Sequence, residues 1–298
     1  MVSVLKDSEL MTATANHILI TGATGNVGRE LVSLLHSQGH PIRAAVTSAK
    51  SAQSLPYPDI PWALFDFDQP ATYAAAFAGV DRLFLMRPPH ISDIDRSIKP
   101  VIEFAASAGV RQIVFLSLIG AESNRVVPHA KVEKILQAGV TPYTLLRCGF
   151  FMQNLSTTHR QDIVEHNDIF VPAGKGKTAF IDVRDIAAVA AKALTEPGHE
   201  NQAYPLTGSE ALNYYQTAQI FSQVLERPIT YSSPTPWRFA WRMWRRGNPL
   251  SYVGVVSAIY MTTRFGMAEG VTPDAAKLLG RPPRSMRQFI EDHATVWR

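Results

Sequence analysis

The chain has 298 residues, 46% of them hydrophobic, enough for one large α/β domain or for one domain with a smaller appendage. Its formal charge of +4 is mild, and no run of lysine and arginine is long enough to make nucleic acid the main partner; no stretch approaches the ~20 apolar residues of a membrane span. Cys148 is the single cysteine, so no intramolecular disulfide forms and a reducing, cytoplasmic compartment is expected. The histidines show no metal-ligand grouping with the acids or with Cys148, and no metal is expected.

Residues 1–15 have neither a basic n-region nor an apolar h-region and read as a disordered preamble rather than a signal peptide, with Met11 as an alternative start. The pattern changes at His17. Residues 17–21 form a short apolar strand that turns through Gly22, Thr24, Gly25, Asn26, Val27 and Gly28 into a helix carrying Leu31, Leu34 and Leu35 at helical spacing. Such a turn holds a pyrophosphate: glycine removes the Cβ that would keep the ligand off the backbone, and the helix presents unpaired N–H groups and its positive dipole end. A dinucleotide is the expected occupant.

The next strand, 42–46, decides between cofactors. NAD sites place Asp or Glu about 20 residues beyond the first glycine, on the ribose 2′-hydroxyl, whereas a 2′-phosphate needs cationic and hydroxyl groups. Here Thr47, Ser48 and Lys50 follow the strand with no acid among them, which favours NADP, with Lys50 as the charge partner. Arg43 sits inside the strand and is expected to point elsewhere.

Further apolar runs at 62–65, 82–86, 112–116 and 143–147 alternate with helical segments, and Gly109 and Gly139 close helices before the last two. The expected fold is a Rossmann-type, doubly wound parallel sheet of the α/β class. Residues 16–155 and 179–211 are assigned to the nucleotide-binding domain, and residues 156–178 and 212–298 to a smaller, mostly helical substrate region. Asp182 reads as the N-cap of the helix over 186–194 with Asp185 in its first turn, and Ser285 with Gln288 matches a capping box. Trp237, Trp241 and Trp244 recur at i, i+4 and i+7 beside Arg238, Arg242, Arg245 and Arg246. This helix is expected to be a lid packing its tryptophans onto the core, the alternative being a membrane-surface or anion-binding helix. Trp237, together with Tyr252 and Tyr260 on the following helix, is a candidate to line an apolar substrate pocket.

Residues 20–28, 66–68, 115–117, 129–133, 144–147 and 150–154 together resemble the NmrA-like family, an atypical branch of the short-chain dehydrogenase/reductase superfamily. The resemblance implies that Asp66 and Phe67 border the adenine, that Met86 and Arg87 line the nucleotide groove, and that Ser117 and Lys131 flank the nicotinamide ribose. It further implies that the segment from Cys148 through Phe150 and Phe151 to Asn154 lines the nicotinamide and the substrate mouth. Ordinary superfamily members use a Tyr-x-x-x-Lys pair, in which the ammonium lowers the phenol pKa. The position four before Lys131 is Val127, which donates no proton. His129, four residues from Glu133 on the same helix, is the remaining candidate proton donor or orienter. Reduction of an iminium or a quinone needs no strong enzyme acid, and the branch resembles quinone, azo and ergot-alkaloid iminium reductases. The tail, with Arg264-Phe265-Gly266 and Gly280-Arg281-Pro282-Pro283-Arg284, resembles the last group most. The expected function is NADPH-dependent reduction of a hydrophobic, electrophilic small molecule, in a chain able to oligomerise. The alternatives are a redox-silent NADP(H)-binding regulator and a non-redox cyclisation enzyme.

Overall fold

A computed structural model describes residues 16–124 and 126–298, so the reading of residues 1–15 lies outside it. The first half alternates as the sequence predicts: β1 (His17–Ile20), α1 (Asn26–Ser37), β2 (Ile42–Val46), α2 (Ala49–Ala52), β3 (Trp62–Leu64), α3 (Tyr73–Phe77) and β4 (Val80–Leu85). It continues through α4 (Ile94–Ser97), α5 (Lys99–Ser107), β5 (Gln112–Leu118), α6 (Pro128–Ala138) and β6 (Tyr143–Cys148). The second half runs through α7 (Arg160–His166), β7 (Lys177–Thr178), α8 (Val183–Thr195), β8 (Gln202–Leu206), β9 (Leu212–Asn213) and α9 (Tyr214–Leu225). Four helices follow, α10 (Pro236–Arg245), α11 (Leu250–Arg264), α12 (Asp274–Leu279) and α13 (Met286–Asp292).

Seven parallel strands form one sheet in the order β3-β2-β1-β4-β5-β6-β8, the Rossmann-type arrangement expected from the alternation. Strand order reverses between β1 and β4, which opens a crevice at the carboxyl ends of those two strands. Both sheet faces are covered, so the central strands are apolar on both sides. Leu19, Leu83, Phe115 and Leu145 face the layer of α3, α5 and α6, while Ile20, Phe84, Val114 and Leu146 face α1 and α8. The seventh strand escapes sequence reading because it is an edge: only Leu206 is buried, and Pro205 is tolerated there because no further strand needs its N–H.

A third core joins residues 152–173 to α9, α10, α11 and α13 through Phe221, Phe239, Phe289 and Trp297. α12 instead returns to the sheet, packing on α8 and β8 with Ala275 fully buried. α8 begins as expected. The Asp182 side chain accepts from the Arg184 N–H at 2.9 Å, and both Asp182 and Asp185 are fully buried. Asp185 does more than cap: it accepts from the Arg284 backbone N–H at 2.6 Å and from the Arg281 guanidinium at 2.7 Å, tying the tail to the sheet layer. Ser285 and Gln288 form the predicted capping box.

The lid expectation for α10 is overturned. Trp237 is 71% exposed and Trp241 and Trp244 are each 54% exposed, while Phe239 and Met243 enter the core. Phe239, Arg242, Met243 and Arg246 stand at i, i+3, i+4 and i+7 and make the inward face. Arg242 and Arg246 each bond the buried Asp162 at 2.8 Å, and the Arg242 guanidinium lies 3.3 Å over the Phe170 ring. Turning the tryptophans inward would expose Phe239 and Met243 and also leave the buried Asp162 carboxylate without its guanidinium partners, and the two costs together hold the helix in this rotation.

Candidate active site

The crevice starts at the glycine turn. Gly22 has φ +64, a left-handed conformation that disfavours a side chain, and a Cβ there would overlap the Met86 methyl. A Cβ on Gly28 would overlap the Gly22 carbonyl oxygen, so this glycine lets α1 sit against the turn. Gly25 is the N-cap of α1 and no side chain caps that helix. Its first-turn N–H groups therefore face the crevice without a side-chain acceptor, and the helix has no acid in its first turn. Thr21, which the sequence reading passed over, stitches the two sides together: its hydroxyl donates to the Phe84 carbonyl at 3.0 Å and accepts from the Met86 N–H at 2.8 Å.

At the end of β2, Thr47 and Lys50 are exposed, and Lys50 has no carboxylate partner among the described residues. The Ser48 hydroxyl caps α2 by accepting from the Ser51 N–H at 3.1 Å. Arg43 points elsewhere, as expected, donating to the Ala76 carbonyl at 3.0 Å. Asp66 is held within its own loop, accepting from the Asp68 N–H at 2.9 Å and from Gln69 at 2.6 Å. The Phe67 ring lies in the core, 4.9 Å edge-on from Phe65, so Asp66 and the loop backbone are what that loop offers a base.

Three site expectations are corrected. Lys131 does not flank Ser117: it projects from the outer side of α6 to an ion pair with Asp95. Residues 131 and 133 stand about 200° apart around a helix, and Glu133 takes the inward position. The Cys148 side chain faces the layer of α1 and α8, fully buried, and burial pushes its thiol pKa up. Trp237 and Tyr252 lie on the outer surface of α10 and α11 rather than lining the crevice.

The inward residue of α6 is Glu133. It accepts from the Ser117 hydroxyl at 2.5 Å and from Arg147 at 2.7 and 3.1 Å. An acid among the buried positions Ala130, Val132 and Leu136, and an arginine inside an apolar strand, were the available signals for this pair. The Ser117 hydroxyl is bonded to Glu133 rather than to His129, whose ring lies 6.0 Å from that of Phe115. Burial and the adjacent Arg87 charge hold its imidazole down at about 4, so it is neutral near pH 7. Arg87 donates to the carbonyls of Pro88 and Ile91 and has no carboxylate partner among the described residues. Arg87 Nε and His129 Nδ1 are both buried without a hydrogen-bond partner among the described residues. On the other side of the crevice, Phe150 lies 6.3 Å from Tyr260, whose hydroxyl bonds the buried His159. Phe151 pairs with Ile181 through its backbone, and Asn154 is half-buried in the turn that follows. No cluster of metal-ligating residues occurs among the described residues.

A parallel sheet with a glycine turn at its switch point, leading into an uncapped helix, defines the Rossmann class of α/β protein. The chain belongs to the NmrA-like family, which it matches over residues 14–240. It is 35% identical to an NAD(P)H azoreductase of Xenophilus azovorans, covering 94% of this chain and 99% of that protein. It is 30% identical to an agroclavine dehydrogenase of Claviceps fusiformis, covering 94% and 98%. The structure of an NADPH-dependent quinone oxidoreductase from Escherichia coli complexed with NADPH superposes with a TM-score of 0.83 at 28% identity, covering 93% and 99%.

Proposed function

We propose that this protein is an NADPH-dependent reductase of a hydrophobic, electrophilic small molecule of the iminium or quinone type. The observation that carries the reading is the α1 terminus: a helix start with no side-chain cap and no acid in its first turn, opening on a glycine cradle at the switch point. Gly22, Thr24, Gly25, Asn26, Val27 and Gly28 fit the pyrophosphate, and Thr47, Ser48 and Lys50 fit a 2′-phosphate better than a 2′-hydroxyl. The relatives named for azo, quinone and clavine chemistry support the same class. When bound, NADPH supplies a hydride.

The chain's own residues do the rest. Met86 and Arg87 edge the nucleotide groove, and Ser117, fixed by Glu133 and Arg147, gives the β5 end a rigid hydroxyl beside it. Phe150, Phe151 and Tyr260 form the apolar side toward the substrate region, with the amide of Asn154 as a polar group beside them. With Val127 at the tyrosine position and His129 neutral, no side chain here is a strong acid near pH 7. Substrates that take their proton from water, or need none, suit such a site.

The test is NADPH consumption with a panel of quinones and cyclic iminium ions, using deuterated NADPH to follow the hydride. His129→Ala is expected to keep kcat within about 10²-fold of the wild type, the range one modest general acid contributes. A far larger loss with cofactor binding intact would make His129 the proton donor. Tight NADPH binding with no turnover on any member of the panel would replace the reductase by a redox-silent binder or a non-redox enzyme.

A further inference from the structure

α10 and α11 present an apolar surface that the reductase reading does not use. Three tryptophans at 71%, 54% and 54% exposure offer roughly 400 Å² of aromatic surface, taking about 150–250 Å² per ring residue. That alone reaches the size of the largest apolar patch on a typical monomer. α11 packs on α10 and is apolar along most of its length, a composition that normally buries a helix on all sides. It nevertheless leaves Leu250, Val255 and Ile259 outside.

The charge that α10 and α11 themselves carry is of one sign. Between Glu226 and Glu269 the chain has six arginines and no acidic residue. Asp162 pairs with Arg242 and Arg246 from below and offsets one of their two charges. Arg238 and Arg245 have no carboxylate partner among the described residues, and the Arg245 guanidinium stands 4.8 Å over the Trp241 ring. A pocket of about 220 Å³ is lined by Phe170, Trp237, Arg238, Trp241 and Arg242, so apolar walls and cationic rims alternate across the patch.

We propose that the α10–α11 face docks the protein on an anionic lipid surface, with the tryptophans at the acyl boundary and Arg238 and Arg245 on the headgroups. Tryptophan, with an apolar body and one polar N–H, suits that boundary, and a helix of tryptophans and arginines has the make-up of an interfacial helix. A second copy of the chain is a poorer occupant. Two-fold pairing sets a patch against itself, and this patch holds uncompensated arginines with no acid to meet them. Docking at this face brings the substrate region against the lipid from which a hydrophobic substrate would be drawn.

Vesicle flotation tests this without any turnover, so its outcome is independent of the reductase reading. The intact protein is expected to float with vesicles of phosphatidylcholine mixed with phosphatidylglycerol, to show a blue-shifted tryptophan emission there, and to be released by high salt. Replacing Trp237, Trp241 and Trp244 together by alanine is expected to weaken partition at least about tenfold, or 1.4 kcal/mol. Arg238→Glu with Arg245→Glu is expected to abolish the preference for the mixed vesicles over phosphatidylcholine alone. Both variants should keep the wild-type circular dichroism spectrum, since all five side chains point outward. A wild type that stays unbound, or a triple variant that floats like the wild type, overturns the proposal. So does a dimer in sedimentation that the triple variant abolishes while no vesicle binds, which would give the face to a second copy.

Discussion

One methyl group placed at Gly25 and one at Gly28 separate ligand space from packing space within a single turn. Gly25 is extended, with φ −83 and ψ 174, so alanine fits its backbone without strain. A Cβ there would stand 3.3 Å from the Gly22 carbonyl oxygen and 4.0 Å from the Met86 methyl, which a shift of a few tenths of an ångström relieves. Gly25→Ala is therefore expected to change stability by under about 1 kcal/mol. The same methyl occupies the space through which the backbone approaches a pyrophosphate, so NADPH affinity should fall by at least about tenfold, 1.4 kcal/mol. At Gly28 the Cβ would overlap the Gly22 carbonyl oxygen, with Gly22 C at 2.7 Å and Ala23 Cα at 3.0 Å. All three are backbone atoms and α1 must move outward, so Gly28→Ala should cost roughly 1–3 kcal/mol or more of stability. Urea denaturation and a fluorescence titration with NADPH read the two effects. A Gly25→Ala variant that binds NADPH like the wild type would show that the turn is not the phosphate site. Equal stability of the two variants would refute the close approach of α1.

Lys50→Ala is expected to erase most of a preference for NADPH over NADH of about tenfold or more, and equal wild-type affinities by calorimetry would remove the 2′-phosphate assignment. Glu133→Gln should lower stability by about 1–3 kcal/mol in urea, because a neutral amide replaces the buried carboxylate facing Arg147 and leaves that guanidinium the half-exposed Glu122 at 3.5 Å, whereas Lys131→Met, at an ion pair exposed on both sides, should cost under about 1 kcal/mol and leave the KM for NADPH unchanged. Acid should weaken the fold through His159, which is buried beside Tyr260, Asp162 and Arg246 and held from 6.5 down to about 4, mainly by burial. The unfolded chain binds the extra proton, so stability is full above pH 6.5 and about 3 kcal/mol of it is lost as the pH falls toward 4; a flat urea midpoint across that window would contradict this.

The legible parts of the molecule were those whose sequence pattern is local. The glycine turn, six of the seven sheet strands and the caps at Asp182 and Ser285 each follow from a few neighbouring residues. What stayed hidden depends on partners far along the chain. The sides of α10 could not be ranked without Asp162, because tryptophans and the Phe239–Met243 pair repeat with the same period. Lys131 and Glu133 lie two residues apart, and only the position of Ser117 and Arg147 shows which of them turns inward. Cys148 adjoins the crevice in sequence, yet the alternation of the strand sends its side chain to the opposite layer.

The buried Asp185 also constrains the order in which this protein is completed. Its guanidinium partners lie 96 and 99 residues downstream, beyond β8 and every strand of the sheet. A ribosome delivers the sheet first, and enclosing the carboxylate before these partners exist would leave a buried charge without them. The residues after α12 therefore act as a fastener for a nucleotide layer whose strands all precede them in the chain.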